Sequence, residues 1–586
     1  MTELFAPDDD LDRRLALGAE GRLAALNRAG VLDAADVHVA RRLGVLAREP
    51  DDDVLLAVAM TVRAARLGSV CLDLWSVRLV APEVSWPEPE GWWAAVRASP
   101  LVEPHGVLRC EHDLLYLDRY WSQEGAVVSD ILGRQDVAAP EVDPERLATG
   151  LDRLFPGKSY PEQREVAEAS VRRWTTVLTG GPGTGKTTTL ARLLALLLDQ
   201  SDNPLRIALA APTGKAAARM RQAIAEAVAA DDFPDRDRAG VAGLPAMTLH
   251  RLLGAQRDNS TRFRHNRSNP LGHEVVVVDE TSMVSLTMMA RLLEAVRPDA
   301  RLILVGDADQ LASVDAGAVL KDLVLGLGES AKLSSAVSRL RTPHRFGGGI
   351  DTLATAVRSD DADRAWNVLT SGASDVELID PGDLGAVRAA VEPPAWALLE
   401  AAEVGDRPVA IRALGNHRLL CAHREGPFGA GLWNRRIQRW LQDRQGRDYL
   451  PRWYAGQPLV VMSNDYGLKI WNGDTAVVVA DPASPSGLIS VFEDPADPRG
   501  RTLSLNRLSD VQTAHALTVH RAQGSQFEEV TVLLPDPESL VLSRELFYTA
   551  ITRATSKVRV VASEESVRAA IARPAQRASG LALRLA

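Results

Sequence analysis

The sequence predicts an α/β protein built on parallel sheets, and three observations carry that reading. The stretch Thr179-Gly180-Gly181-Pro182-Gly183-Thr184-Gly185-Lys186-Thr187 contains a complete G-x-x-x-x-G-K-[ST] phosphate loop. The apolar runs at 176–179, 207–210, 275–278 and 302–305 are continuous rather than alternating, as in strands buried on both faces. The residues after the loop follow a helical period, with Leu190, Leu193, Leu194, Leu197 and Leu198 on one stripe. Strand, loop and helix therefore succeed one another, which is the context that gives the motif its meaning.

The elements divide the chain of 586 residues into three regions. Residues 1–140 carry no nucleotide motif and read as a mostly helical domain. Leu15, Leu17, Leu23, Leu26 and Val31 recur at helical spacing, and a short strand is expected near Leu114-Leu115-Tyr116-Leu117. A linker is expected at 138–144. Residues 141–340 alternate strand and helix and form the first parallel-sheet domain. Residues 341–586 form the second, with strands near 418–422, 530–534 and 558–562. Within it, about 450–512 is rich in Val, Gly, Pro and Asp and reads as an insert of short antiparallel strands.

Composition narrows the classes. Hydrophobic residues make up 46% of the chain, enough for several cores, and no apolar run reaches the length of a membrane span. The N-terminal stretch is acidic and has no apolar core of a secretory signal, so none is expected. Cys71, Cys110 and Cys421 are far apart, which argues against a disulfide framework and fits a reducing, cytoplasmic setting. The net charge of −10 argues against a small basic nucleic-acid binder. It does not exclude a large motor, where only the channel needs positive charge.

The motifs assign chemistry. Glycines let backbone N–H groups close on phosphates at a helix N-terminus. Gly180, Gly181, Pro182, Gly183, Thr184, Gly185, Lys186, Thr187 and Thr188 are therefore expected to hold the phosphates of ATP, with Lys186 bridging the outer ones and Thr187 on Mg²⁺. The strand 275–278 ends in Asp279-Glu280. Asp279 is expected on Mg²⁺, and Glu280 is placed to activate the attacking water. The strand 302–305 ends in Gly306-Asp307-Ala308-Asp309-Gln310, and Gln310 is a candidate sensor of the terminal phosphate. Arg345 and Arg553 are candidates for stabilising charge on the transferring phosphoryl group from the second domain.

With these residues in place, the chain resembles the superfamily 1 helicases and, within them, the RecD family of exodeoxyribonuclease V subunits (superfamily 1B). The resemblance runs in order through Pro161-Glu162-Gln163-Arg164, the phosphate loop, Ala211-Pro212-Thr213-Gly214-Lys215, Thr248-Leu249-His250-Arg251, Asp279-Glu280, Gly306–Gln310, His344-Arg345-Phe346, Thr518-Val519-His520-Arg521-Ala522-Gln523-Gly524, and Tyr548-Thr549-Ala550-Ile551-Thr552-Arg553. It implies two RecA-like motor domains, an SH3-like module at the insert and an N-terminal docking domain. It implies that Gln163 reads adenine, that Gln523 and Gly524 close the nucleotide site, and that Thr213, His250, Thr518 and His520 line a single DNA strand. Phe346 and Tyr548 are expected to pack.

The glutamine of the third motif is followed by Leu311-Ala312-Ser313-Val314, without the base-stacking aromatic usual in the 3′→5′ group. That departure looks like the 5′→3′ group. Arg262, Phe263 and Arg264 lie in a short basic segment, about 256–272, that resembles a duplex-splitting pin; a basic surface loop is the competing reading. Asn464 and Trp471 of the insert are candidate DNA contacts, with a turn or core role as the alternative. The resemblance implies an ATP-dependent 5′→3′ DNA helicase subunit, acting on single-stranded and duplex DNA ends in double-strand break repair by recombination. It also implies RecB-like and RecC-like partners, nuclease activity in a partner, and no membrane. The alternatives are a stand-alone 5′→3′ helicase of the same superfamily, a P-loop ATPase that only remodels a complex, and a nuclease in its own right, against which stands that every carboxylate pair placed here belongs to the motor.

Overall fold

The computed structural model describes residues 9, 12–82, 84–102, 106–157, 160–256, 259–330, 334–342, 348–446, 451–465, 467–494 and 497–586. The N-terminal region packs helices Gly21–Arg28, Ala34–Ala47, Asp52–Arg66 and Pro89–Ala98 around a core of its own that includes Leu26, Val37, Leu56, Met60, Trp92 and Trp93. A small antiparallel sheet, ordered Cys71–Leu72, Leu114–Leu117, Leu108–Glu111, closes that region. Helix Asp118–Gly133 then leads into the motor.

The first motor sheet has six strands, all parallel. In spatial order they are Val337–Leu340, Thr175–Gly180, Arg301–Gly306, Val275–Val278, Ile207–Ala211 and Ala246–Thr248. Its four central strands are buried along their length save for the half-buried Arg301. Val275–Val278 is four β-branched residues with no exposed surface, each contributing roughly 1.5–3 kcal/mol by burial. β-branching also holds χ1 in the rotamers a pleated strand prefers. The second sheet is parallel too, in the order Val376–Ile379, Ala554–Val561, Phe527–Leu533, His417–Cys421 and Ala516–Thr518. These are two RecA-like domains.

The insert is a five-stranded antiparallel sheet in the order Arg501–Leu503, Leu488–Phe492, Thr475–Ala480, Pro458–Val461, Val511–Thr513. After the last strand of the second sheet the chain turns back. Helix Leu581–Leu585 packs on the first domain, with Leu581 and Leu585 in the same core as Leu323 and Leu327. Among the described residues, no helix is long and apolar enough to cross a membrane.

Candidate nucleotide and nucleic-acid site

The phosphate loop and the carboxylates expected at the nucleotide gather at the carboxyl ends of the central strands of the first sheet, where open α/β sheets place ligands. Strand Thr175–Gly180 runs into the phosphate loop, and Gly185 takes φ 84° just before helix Lys186–Asp199. That left-handed conformation suits glycine and turns the helix N-terminus toward the loop. The loop is tightly packed: a methyl at Gly180 would lie 2.7 Å from Thr184 Oγ1 and 2.9 Å from the Leu340 carbonyl. Lys186 Nζ donates to the Gly180 carbonyl at 2.6 Å and the Gly181 carbonyl at 2.8 Å, so its ammonium folds back over the loop. Thr187 and Thr188 stand half-buried on the first helical turn.

Asp279 and Glu280 end strand Val275–Val278 beside that loop. The Asp279 carboxylate accepts from the Glu280 N–H at 2.8 Å. Burial, together with the neighbouring Glu280 charge, pushes the Asp279 carboxyl up to about 6, while Lys186 and Arg219 oppose the rise. Glu280 itself has φ 51°, a left-handed conformation that non-glycine residues adopt at a cost and that recurs at functional sites. The Thr187 hydroxyl and the Asp279 carboxylate are hard oxygen donors of the kind Mg²⁺ takes.

The third motif joins the two domains. Gln310 Nε2 donates to Asp307 Oδ2 at 3.0 Å, and Gln310 Oε1 accepts from Arg553 Nη2 at 2.9 Å. Arg553 also donates to the Thr549 carbonyl at 3.1 Å and the Ser525 carbonyl at 3.3 Å. Gln523 donates to the Leu311 carbonyl at 2.7 Å, and the Leu311 N–H donates to Thr549 Oγ1 at 2.8 Å. Arg219 Nη1 donates to the Gly524 carbonyl at 3.4 Å. Burial pulls the Arg553 guanidinium below its usual range, and the charge of Glu280 raises it again. Leu311, which follows Gln310, is buried within the hydrophobic core of the second domain.

Tyr548 does more than the packing expected of it. It is buried, and its hydroxyl donates across the domain boundary to Asp307 Oδ2 at 3.1 Å. Its ring comes from the second domain and its partner from the first, a pairing no spacing in the sequence signals. Glu162 is a second residue that sequence reading left without a role. Its carboxylate accepts from the Arg341 N–H at 2.8 Å and from Thr342 Oγ1 at 2.9 Å, fastening the start of the segment that leads to the second domain. Gln163 is buried in the first turn of helix Pro161–Val171. Arg345 and Phe346 lie outside the described residues.

The residues expected along DNA sit at the ends of edge and near-edge strands. Thr213 follows Ile207–Ala211 and caps helix Gly214–Ala229, accepting from the Ala216 N–H at 3.2 Å. His250 follows Ala246–Thr248, and Thr518 and His520 follow or end Ala516–Thr518. Burial pushes His520 down to about 4, so its imidazole is neutral at pH 7. Arg262 and Phe263 lie in a hairpin that pairs Ala255–Gln256 with Asn259–Phe263. Arg262 and Arg264 are exposed. Phe263 is not at an exposed edge: it is 8% exposed, and its ring packs 5.8 Å from that of His250. The inward ring roots the hairpin on helix Leu249–Leu253, because a large apolar side chain gains more from the core than from solvent. Asn464 is exposed, and its side chain accepts from the Asn472 N–H at 2.9 Å, bracing a turn of the insert. Trp471 crosses from the insert to the first domain, where a methyl at Gly214 would lie 2.5 Å from its Cδ1.

A phosphate loop facing a second parallel-sheet domain, with side chains of both domains bonded through the third motif, defines an ATP-dependent DNA helicase of superfamily 1. The pattern of the AAA domain matches residues 163–316, and that of the UvrD-like helicase C-terminal domain matches 513–561. The pattern of the RecBCD enzyme subunit RecD N-terminal domain matches 28–112. The chain is 54% identical over 583 residues to the RecBCD enzyme subunit RecD of Mycobacterium tuberculosis, covering 98% of each. It is 54% identical over 564 residues to the Mycolicibacterium smegmatis protein of the same name, covering 95% of this chain and 98% of that one. It is 32% identical to the ATP-dependent RecD2 DNA helicase of Deinococcus radiodurans over 82% of this chain and 58% of that one. The chain belongs to the RecD family.

Proposed function

We propose that this chain is the 5′→3′ motor subunit of a RecBCD-type helicase and nuclease that processes duplex ends in double-strand break repair. The observation that carries the motor reading is the Arg553–Gln310–Asp307 relay, which ties the second domain to the strand end beside the phosphate loop. A change at the nucleotide's terminal phosphate is thereby felt as a change between domains, and that is how hydrolysis drives stepping. The absence of a base-stacking aromatic in Leu311-Ala312-Ser313-Val314 supports the 5′→3′ direction.

The roles follow from position. Gln163 and the loop from Gly180 to Thr188 hold ATP, with Gln523 and Gly524 closing over it. Thr187 and Asp279 hold Mg²⁺, which neutralises phosphate charge when bound. Glu280 takes a proton from the attacking water. Arg553 and Arg345 stabilise charge from the second domain. Thr213, His250, Thr518, His520 and Asn464 follow the single strand, and Arg262, Phe263 and Arg264 belong to the pin. Residues 1–140 dock RecB-like and RecC-like partners, 141–340 and 341–586 form the motor, and 450–512 is the SH3-like module. A cytoplasmic setting fits the three unpaired cysteines. Cutting is assigned to a partner subunit.

The test is strand displacement on duplexes with a 5′ or a 3′ single-stranded tail, together with purification from cells. Unwinding from the 5′ tail and recovery with RecB- and RecC-like chains are expected. Unwinding from the 3′ tail only would overturn the direction, and recovery of an active lone chain would favour a stand-alone helicase.

A further inference from the structure

We propose that Arg358 is a further phosphate-binding residue, a second-domain cation that meets the outer phosphates of the nucleotide beside Lys186 and Arg553. The proposal rests on the nucleotide-site reading above. Arg358 ends helix Gly349–Arg358, the first helix described after the segment that contains Arg345. A methyl at Gly181, in the phosphate loop, would lie 3.7 Å from Arg358 Nη1 and 3.1 Å from the Tyr548 hydroxyl. Gly181 is also where Lys186 donates. Two second-domain side chains therefore converge on the loop residue that carries the catalytic lysine's contact.

The charges around Arg358 leave it available. Asp309 is close enough to feel the arginine, but it is already paired with Arg339 at 2.8 Å. Asp307 is held by Gln310 and Tyr548. Among the described residues, Arg358 forms no ion pair of its own. A half-buried guanidinium next to a phosphate loop, without a carboxylate to hold it, has a triphosphate as its natural partner, since its planar fork matches phosphate oxygens.

Its placement is rigid. Leu353, Ala356 and Val357 of its helix share a core with Leu546, Phe547 and Tyr548 of helix Arg544–Ile551. Asp360, two residues beyond, pairs with Arg544 at 2.6 Å. The two helices move as one body, so Arg358, Tyr548 and Arg553 reach or leave the phosphates together. That would make domain closure and phosphate contact one event.

The experiment compares Arg358→Ala and Arg358→Lys with the unaltered chain and with Lys186→Gln. Steady-state ATPase on single-stranded DNA and equilibrium binding of fluorescent ATP and ADP analogues are measured. Arg358→Ala should lower turnover by about 10-fold or more, and weaken the ATP analogue while leaving the ADP analogue within about 2-fold. Arg358→Lys should recover part of both effects, because charge returns without the fork. Equal weakening of both analogues, or kinetics unchanged in Arg358→Ala while Lys186→Gln is inactive, would overturn the proposal alone. An unaltered chain with no DNA-stimulated hydrolysis would instead overturn the nucleotide-site reading.

Discussion

Arg553 of the second domain donates to Gln310 of the first at 2.9 Å, with both side chains buried, and Gln310 passes the contact to Asp307 at 3.0 Å. A buried charge-assisted bond of this kind is strong, and removing one partner leaves the other unsatisfied. Arg553→Ala is expected to cut turnover by roughly 10³-fold, as for an arginine finger, while nucleotide binding falls far less. Gln310→Ala should lower DNA stimulation of the ATPase, and the double variant should lose less than the sum, since both act through one contact. Weak binding with normal turnover in Arg553→Ala would contradict the role.

Lys186→Gln should remove hydrolysis, by on the order of 10²-fold or more, because a neutral amide does not offset the developing phosphate charge. Glu280→Gln should keep ATP binding and lose turnover, because only water activation is removed. Normal hydrolysis by Glu280→Gln in single-turnover assays would move the base elsewhere.

In the hairpin proposed as the pin, Arg262 and Arg264 face solvent, whereas Phe263 packs inward and Arg267 pairs with Asp130 at 2.9 Å. Charge and anchoring can therefore be separated. Arg262→Ala with Arg264→Ala should reduce duplex separation much more than single-strand-stimulated ATPase, and should flatten the salt dependence of unwinding. Phe263→Ala should act through stability, costing about 3 kcal/mol for the cavity left behind. Equal losses of unwinding and ATPase in the arginine variant would make the segment a scaffold.

The C-terminal tail clasps the N-terminal region. Ser579 Oγ and the Gly580 N–H donate to Glu124 Oε1 at 2.7 and 3.1 Å, and the Val70 N–H donates to the Ala578 carbonyl at 2.7 Å. Arg584 pairs with Glu111 at 2.6 Å and lies 5.4 Å from the Tyr116 and Trp121 rings. Glu124→Ala leaves two donors without an acceptor and is expected to cost about 1–3 kcal/mol each, read as a lower thermal unfolding midpoint. Glu124→Gln should restore most of it, and an unchanged midpoint in Glu124→Ala would mean that the tail does not hold this junction.

Under the same tail, burial pushes the Asp322 carboxyl up to about 7; Glu124 pushes the same way, and Ser579 and Lys321 oppose it. The folded state holds this proton more tightly than the unfolded chain does. Stability from this group is thus fully present below about pH 4 and is lost as pH rises to about 7, by on the order of 4 kcal/mol. Asp322→Asn should flatten the unfolding midpoint between pH 5 and 8 relative to the unaltered chain. An identical pH profile in the two would rule Asp322 out as the titrating group.

The interior of both motor sheets was legible in the sequence, because strands covered on both faces are unbroken apolar runs. Those at 207–211, 275–278 and 302–305 are of this kind, whereas the run at 530–534 marked only the buried end of strand Phe527–Leu533, whose start carries Glu528 and Glu529. The strands not anticipated are the sheet edges, Ala246–Thr248, Val337–Leu340, Val376–Ile379 and Ala516–Thr518. Edges are short and partly exposed, so selection on them for continuous hydrophobicity is weak. Motif spacing likewise marked the phosphate loop and the carboxylate pair, since each lies within one local turn.

Tertiary structure alone decided which side chains meet across the cleft. Tyr548 and Asp307 are separated by 241 residues, and Leu311 and Thr549 by 238. No local periodicity encodes such pairs; they exist because two sheets, each folding on its own core, present their strand ends to one another. The same holds for the inward turn of Phe263 and for the tail on Glu124. The sequence by itself determined the chemistry available at each strand end. The packing of one domain on the other determined which of those groups act together, because a hydrogen bond is made only where distance and direction permit.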